Sequence, residues 1–212
     1  MPLTERDTEI LTALSCSVRM MTLDQISSHW WTTCRNPSKI SERRLTTLLN
    51  QGLLATARVL AADLPTIDAP VASWFPGQVE PDLGSIAWQL QSRWKTQPKP
   101  VRVYLATTQT SNLLGGKACG RIKNQFHASH DLGVSQVYLR IRETRPHLIP
   151  FWVGEDQLAP YRKQQKLPDA IIANSTTATP KLVVEFGGAY DKERVTEFHR
   201  DCEQRAVPYE IW

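Results

Sequence analysis

The chain has 212 residues, 41% of them hydrophobic and 22% charged. That globular composition excludes disordered, collagen-like and membrane-embedded classes and leaves room for one or two domains. No window approaches the roughly 18 consecutive apolar residues of a membrane span, and Glu5, Arg6 and Asp7 stand where a signal peptide would carry its apolar core. A cytoplasmic protein with no membrane partner is expected. Cys16, Cys34, Cys119 and Cys202 are scattered and form no CxxC pair, so they read as reduced thiols rather than a disulfide framework or a zinc site. The net charge of +4 is unevenly spread: residues 1–130 hold 14 Lys/Arg against 9 Asp/Glu, and residues 131–212 hold 11 against 12. Between 83 and 130 lie Arg93, Lys95, Lys99, Arg102, Lys117, Arg121 and Lys123 with no carboxylate among them, a balance that favours a polyanionic partner.

Thr4 followed by Asp7 is a capping box, and Ile10, Leu11, Leu14 and Val18 continue it as an amphipathic helix. A second helix is expected from Leu23 to Trp31, started by Thr22, with Asp24 suiting the positive end of the helix dipole. After Pro37, residues 38–51 place Ile40, Leu45, Leu48 and Leu49 on an apolar face with Arg43 and Arg44 beside it, and Gly52 ends the helix. Residues 53–60 and the alternating Val101-Arg102-Val103-Tyr104-Leu105 read as two paired strands. Three short helices followed by a two-stranded ribbon is the winged helix-turn-helix plan, in which the third helix enters the DNA major groove and the wing touches phosphates or the minor groove. Arg35, Lys39, Arg43, Arg44, Arg58 and Arg102 are the candidate DNA-binding residues, because guanidinium and ammonium groups neutralise phosphates and arginine also reads guanine edges.

Residues 63–100 carry prolines at 65, 70, 76, 81, 98 and 100 and the aromatics Trp74, Phe75, Trp88 and Trp94. They read as an insertion between the two wing strands, with a helix from Ser85 to Lys95. Gly115-Gly116-Lys117 suggests a phosphate loop and fails the pattern, since Ala118 follows the lysine and no glycine stands five before Gly116. His127 and His130, three apart beside Asp131, have a spacing that suits a metal, yet no further ligand is identifiable, and packing or capping is the expected role.

In the C-terminal third, Asp131 is expected to cap a helix containing Val134, Val137, Tyr138 and Ile141. A strand at 148–153, a polar helix at 155–166, strands at 169–173 and 182–186, a helix at 191–205 and a final strand at 209–212 follow. Asp169 and Glu185 fall on adjacent strands, and Glu155 opens the helix before them. A carboxylate in a core strand is costly unless it is paired or bound to a cation. A paired Asp and Glu are also what phosphodiester hydrolysis uses to hold Mg²⁺. Pro168-Asp169 and Glu185-Phe186-Gly187 resemble the PD-(D/E)XK nuclease core, and that resemblance implies metal binding by Asp169 and Glu185. The superfamily's lysine, two residues after the acid, is replaced here by Gly187, which can neither stabilise phosphate charge nor orient water; Lys192 or Arg194 on the next helix, or Lys181 ahead of the strand, would have to stand in. A structural role for Glu185, satisfied by Arg194 or another cation, is the competing reading.

Over most of its length outside 63–100 the chain resembles the replication-relaxation family of plasmid and mobile-element proteins. The resemblance rests on Leu3-Thr4-Glu5-Arg6-Asp7, Glu42-Arg43-Arg44-Leu45, Gly52-Leu53-Leu54, Val103-Tyr104-Leu105-Ala106-Thr107, residues 127–139, Pro168-Asp169 and Glu185. The expected fold is therefore α+β: an N-terminal winged helix over 1–126 with the 63–100 insertion, and a C-terminal α/β PD-(D/E)XK-like sandwich with a small mixed sheet over 127–212. The expected function is sequence-dependent binding of duplex DNA as a replication accessory factor or transcriptional regulator, with a non-catalytic nuclease-like domain. A Mg²⁺-dependent endonuclease using Glu155, Asp169, Glu185 and Lys192 is the alternative, and a protein-interaction scaffold is a third. A homodimer on a palindromic site, with the insertion as its surface, is one arrangement open to a winged helix.

Overall fold

In the computed structural model, which describes residues 2–117, 122, 127–162 and 166–212, the chain is α+β and divides into two units, Met1–Ala61 with Pro98–Leu139 and Ala62–Gln97 with Arg140–Trp212. Cys119, Arg121 and Lys123 of the basic run lie outside the described residues.

Unit 1 begins with α1 (Glu5–Thr12), capped reciprocally by the Thr4 hydroxyl and the Asp7 carboxylate. Its continuation is a π-helical turn, Ala13–Ser17. A two-residue strand β1 (Met21–Thr22) leads into α2 (Leu23–Trp30), where Thr22 and Gln25 form a second capping box. Helix α3 (Pro37–Asn50) has proline in its first turn, where the missing N–H has no helical partner to lose. Gly52, at φ +70°, turns the chain out of it, with the Leu53 N–H returning to the Leu48 carbonyl. Strands β2 (Leu54–Ala61) and β4 (Lys99–Ala106) pair antiparallel from Leu54↔Ala106 to Ala61↔Lys99, as the alternation predicts. With β1 they make a three-stranded sheet in the order β1-β4-β2. Ile10, Leu14, Ile26, Leu45, Leu48 and Val103 are buried. After α5 (Thr108–Leu113), the first part of α6 (Ala128–Thr144) docks on this unit through Arg19–Asp131 at 2.9 Å and Gln25 Nε2 donating to the Leu132 carbonyl at 2.9 Å.

Unit 2 holds a five-stranded sheet made of β3 (Ala72–Trp74), β5 (Trp152–Gly154), β6 (Ala170–Ile172), β7 (Leu182–Glu185) and β8 (Tyr209–Ile211) in the order β3-β8-β7-β6-β5. Strands β5, β6 and β7 form an antiparallel meander; α8 (Lys192–Gln204) follows and delivers β8 parallel to β7. Helix α4 (Leu83–Ser92) and α8 bury Leu90, Val195 and Phe198 in a common core with Val183, Tyr209 and Ile211.

Five expectations change. Residues 62–97 do not belong with the first unit: β3 joins β8 at Ala72↔Ile211 and Trp74↔Tyr209, and α4 buries its apolar face in the second core. Residues 128–139 in turn belong to unit 1 rather than to a domain starting at 127, so the division falls within α6. The expected strand at 148–153 is a 3₁₀ helix, Pro146–Phe151, followed by β5, because Pro150 has no N–H to give a ladder. The expected helix at 155–166 is the short α7 (Glu155–Leu158), since Pro160 has no N–H to carry the helical ladder on; residues 163–165 lie outside the described residues. Asp131 sits inside the first turn of α6 and pairs with Arg19 rather than capping the helix from outside.

Candidate functional site

Helix α3 buries Ser41, Leu45 and Leu48, which leaves Lys39 and Arg43 exposed on its opposite side, with Arg35 exposed just ahead of it. On the β2–β4 ribbon, Arg58 and Arg102 stand directly opposite one another and both are exposed. Directly opposed residues of an antiparallel pair share a face, and like charges so placed are destabilising. Arg102 Nη1 lies 3.7 Å from Glu42 Oε1 of α3, and its guanidinium is 5.3 Å from the centre of the Tyr104 ring. The ribbon face bearing both arginines is thus turned toward α3, where Arg102 meets the Glu42 carboxylate, and the exposed cations of helix and ribbon are the candidate surface. Arg35, Lys39, Arg43 and Arg58 have no ion-pair partner among the described residues.

Arg44 is not part of that surface. Its Nε donates to Asp7 Oδ1 at 2.8 Å, its Nη2 donates to Asp7 Oδ2, and Nη2 also reaches the Pro2 carbonyl at 3.1 Å. Asp7 is fully buried. Burial pushes its carboxyl up, but the hydrogen bonds from Arg44 and Thr4 outweigh that effect and bring it down to about 2. A sequence signal for this existed: Asp7 shares the helical stripe of Ile10, Leu11 and Leu14, and a carboxylate on a buried stripe requires a cation or several donors.

In unit 2, Asp169 and Glu185 meet at the paired ends of β6 and β7, beside the Ala170↔Val184 register. The Phe186 N–H donates to Asp169 Oδ2 at 2.7 Å, the Asp169 N–H to Glu185 Oε2 at 3.2 Å, and the Tyr190 hydroxyl to Glu185 Oε1 at 2.6 Å. Burial, and then the Glu185 charge and hydrogen bond, push the Tyr190 phenol far up, so it stays a donor. Arg194 Nη2 is 3.3 Å from the Tyr190 hydroxyl, with the guanidinium stacked 4.3 Å from the ring centre. Arg194 therefore approaches the acid pair through Tyr190, whereas Lys192 is exposed at the start of α8. Glu155 contributes a backbone N–H to the Asp169 carbonyl at 2.9 Å. Among the described residues, no three His, Cys, Asp or Glu side chains gather into a group that could hold a metal ion, either around Glu155, Asp169 and Glu185 or around His127 and His130. The acid pair accepts peptide N–H and phenol hydrogen bonds, which tie both carboxylates into the fold.

A Cβ at Gly187 would lie 2.7 Å from Leu90 Cδ1 and 2.9 Å from Ile211 Cγ2. Leu90 of α4 and Ile211 of β8 thus take up the space that a side chain at residue 187 would need. The α4 segment anchors its end there, with Trp94 Nε1 donating to the Gly188 carbonyl at 2.8 Å. Leu90 and Tyr190 are the two residues that sequence reasoning missed, and neither carries a local signal for its role. Comparison with family models, curated proteins and solved structures finds no match for this chain.

Proposed function

We propose that unit 1 is a winged helix that binds duplex DNA, with α3 as the helix that enters the major groove and the β2–β4 ribbon as the wing. The observation that carries this reading is the set of exposed cations on α3 and the ribbon, Lys39, Arg43 and Arg58, that have no ion-pair partner among the described residues. Exposed cations without counter-charges among the described residues suit a ligand that supplies its own negative charge. Unit 2 is read as a PD-(D/E)XK-like fold without catalysis. Its succession of helix, antiparallel meander, helix and parallel strand supports the fold, and Gly187 packed against Leu90 supports the loss of activity. The biological setting suggested by the sequence is replication or transcription control on a plasmid or mobile element.

The test incubates the protein with labelled duplex and supercoiled plasmid in Mg²⁺, Mn²⁺ or EDTA and reads retardation and cleavage together. Salt-sensitive retardation without cleavage is expected. Metal-dependent nicking that Glu185→Ala abolishes would establish the endonuclease instead, and no retardation at low salt would leave an interaction scaffold.

A further inference from the structure

The apolar stripe of α3 predicts Ile40 in the core beside Leu45 and Leu48, yet Ile40 is 46% exposed while those two leucines are fully buried. Isoleucine is a poor choice for an exposed helical turn on conformational grounds, since its branched Cβ loses rotamer freedom there and any straight-chain polar residue forms helix better. Its neighbours are the two free cations of the helix: Lys39 precedes it, and Arg43, three residues on, is adjacent on the helix surface. The threonine hydroxyls nearby turn back onto the helix, Thr47 Oγ1 to the Arg43 carbonyl at 3.2 Å and Thr46 Oγ1 to the Glu42 carbonyl at 2.8 Å. Ile40 is thus an apolar side chain in the first turns of α3, bordered by phosphate-seeking charges.

Resting on the DNA-binding reading of unit 1, we infer that Ile40 is a specificity-determining residue that packs against the C5-methyl group of a thymine. Among base edges in the major groove, the thymine methyl is the apolar group an isoleucine can recognise, and cytosine lacks it. The expected site carries a thymine beside the base pair or phosphate that Arg43 engages. Burying one methyl group against Ile40 corresponds to about fourfold in affinity.

The test selects bound sites from random-sequence duplexes with the full-length chain, then replaces each thymine of the recovered site by deoxyuridine, which deletes only the methyl. One replacement is expected to weaken wild-type binding about fourfold and to leave Ile40→Ala unchanged, with Ile40→Val intermediate. Partial exposure keeps these variants folded, which circular dichroism checks. Binding with no recovered consensus, or with replacements that are all neutral or equally costly in Ile40→Ala, overturns the role of Ile40 while DNA binding stands. Absence of any bound duplex at low salt overturns the DNA-binding reading itself.

Discussion

Replacing Arg44 by methionine tests the part this arginine plays in holding the fold. Asp7 accepts hydrogen bonds from Thr4 N, Thr4 Oγ1, Arg44 Nε and Arg44 Nη2. The substitution removes the two arginine donors and leaves a carboxylate with 0% exposure held by Thr4 alone. Breaking a buried ion pair on one side costs about 3–5 kcal/mol. The surviving Thr4 bonds and the 16% exposure of the Arg44 side chain put the loss near the lower end, about 3 kcal/mol. Hydrogen exchange of the α1 and α3 amides should show protection falling roughly a hundredfold at pH 7. Asp7→Asn combined with Arg44→Met should recover part of the loss, because removing both partners strands no buried charge. The advantage of wild type is full above about pH 4, where the unfolded Asp7 is ionised. It fades as pH falls toward about 2, where the folded carboxyl takes up its proton. Unchanged protection in Arg44→Met, or a double variant no better than the single one, would refute this account.

Arg43→Ala and Arg58→Ala should leave the unfolding free energy from urea titration within about 0.5 kcal/mol of wild type. Each should weaken duplex binding by about 1–3 kcal/mol if it reads a base, or lower the salt slope by about one if it meets a phosphate, as anisotropy titrations at several salt concentrations would show. Tyr190→Phe takes the hydroxyl donor from Glu185 Oε1 and should destabilise unit 2 by about 1–3 kcal/mol in hydrogen exchange of β6 and β7; no loss there would count against a structural acid pair. Gly187→Lys, which adds a lysine two residues after Glu185, should give no plasmid nicking and should lower stability by about 1–3 kcal/mol through overpacking against Leu90 and Ile211. Nicking by a stable Gly187→Lys variant would show that the site is open.

The features legible in the sequence are those fixed by neighbours in the chain. Thr4 with Asp7, Thr22 ahead of its helix and Asp191 at α8 announce helix starts because a cap acts within one turn. The apolar content of β2 and the alternation along β4 mark two strands that can pair, and the structure pairs them. Residues 62–97 defeat that reasoning: Trp74 pairs with Tyr209, and no local pattern names so distant a partner. Ile40 fails for the opposite reason, since its periodicity is right and only tertiary packing decides that the core stops short of it. Tyr190 and Leu90 act on Glu185 and Gly187 across turns and helices that set their own geometry, so spacing in the chain carries no trace of them.

The acid pair has a structural duty of its own. Asp169 and Glu185 each hold a peptide N–H of the facing chain, those of Phe186 and Asp169, and Glu185 also holds the Tyr190 phenol. Deleting either carboxylate would strand a buried N–H, so stability alone is enough to keep both acids, and their presence in a sequence is weak testimony for hydrolysis. The lysine of a nuclease has no such second duty, because its ammonium serves only the phosphate and the water. Once Leu90 of α4 occupies the space beside residue 187, glycine is the one residue that fits without displacing it or Ile211. The acids alone therefore do not discriminate, and the space beside Gly187, taken up by Leu90 and Ile211, is the feature that a substitution there would probe.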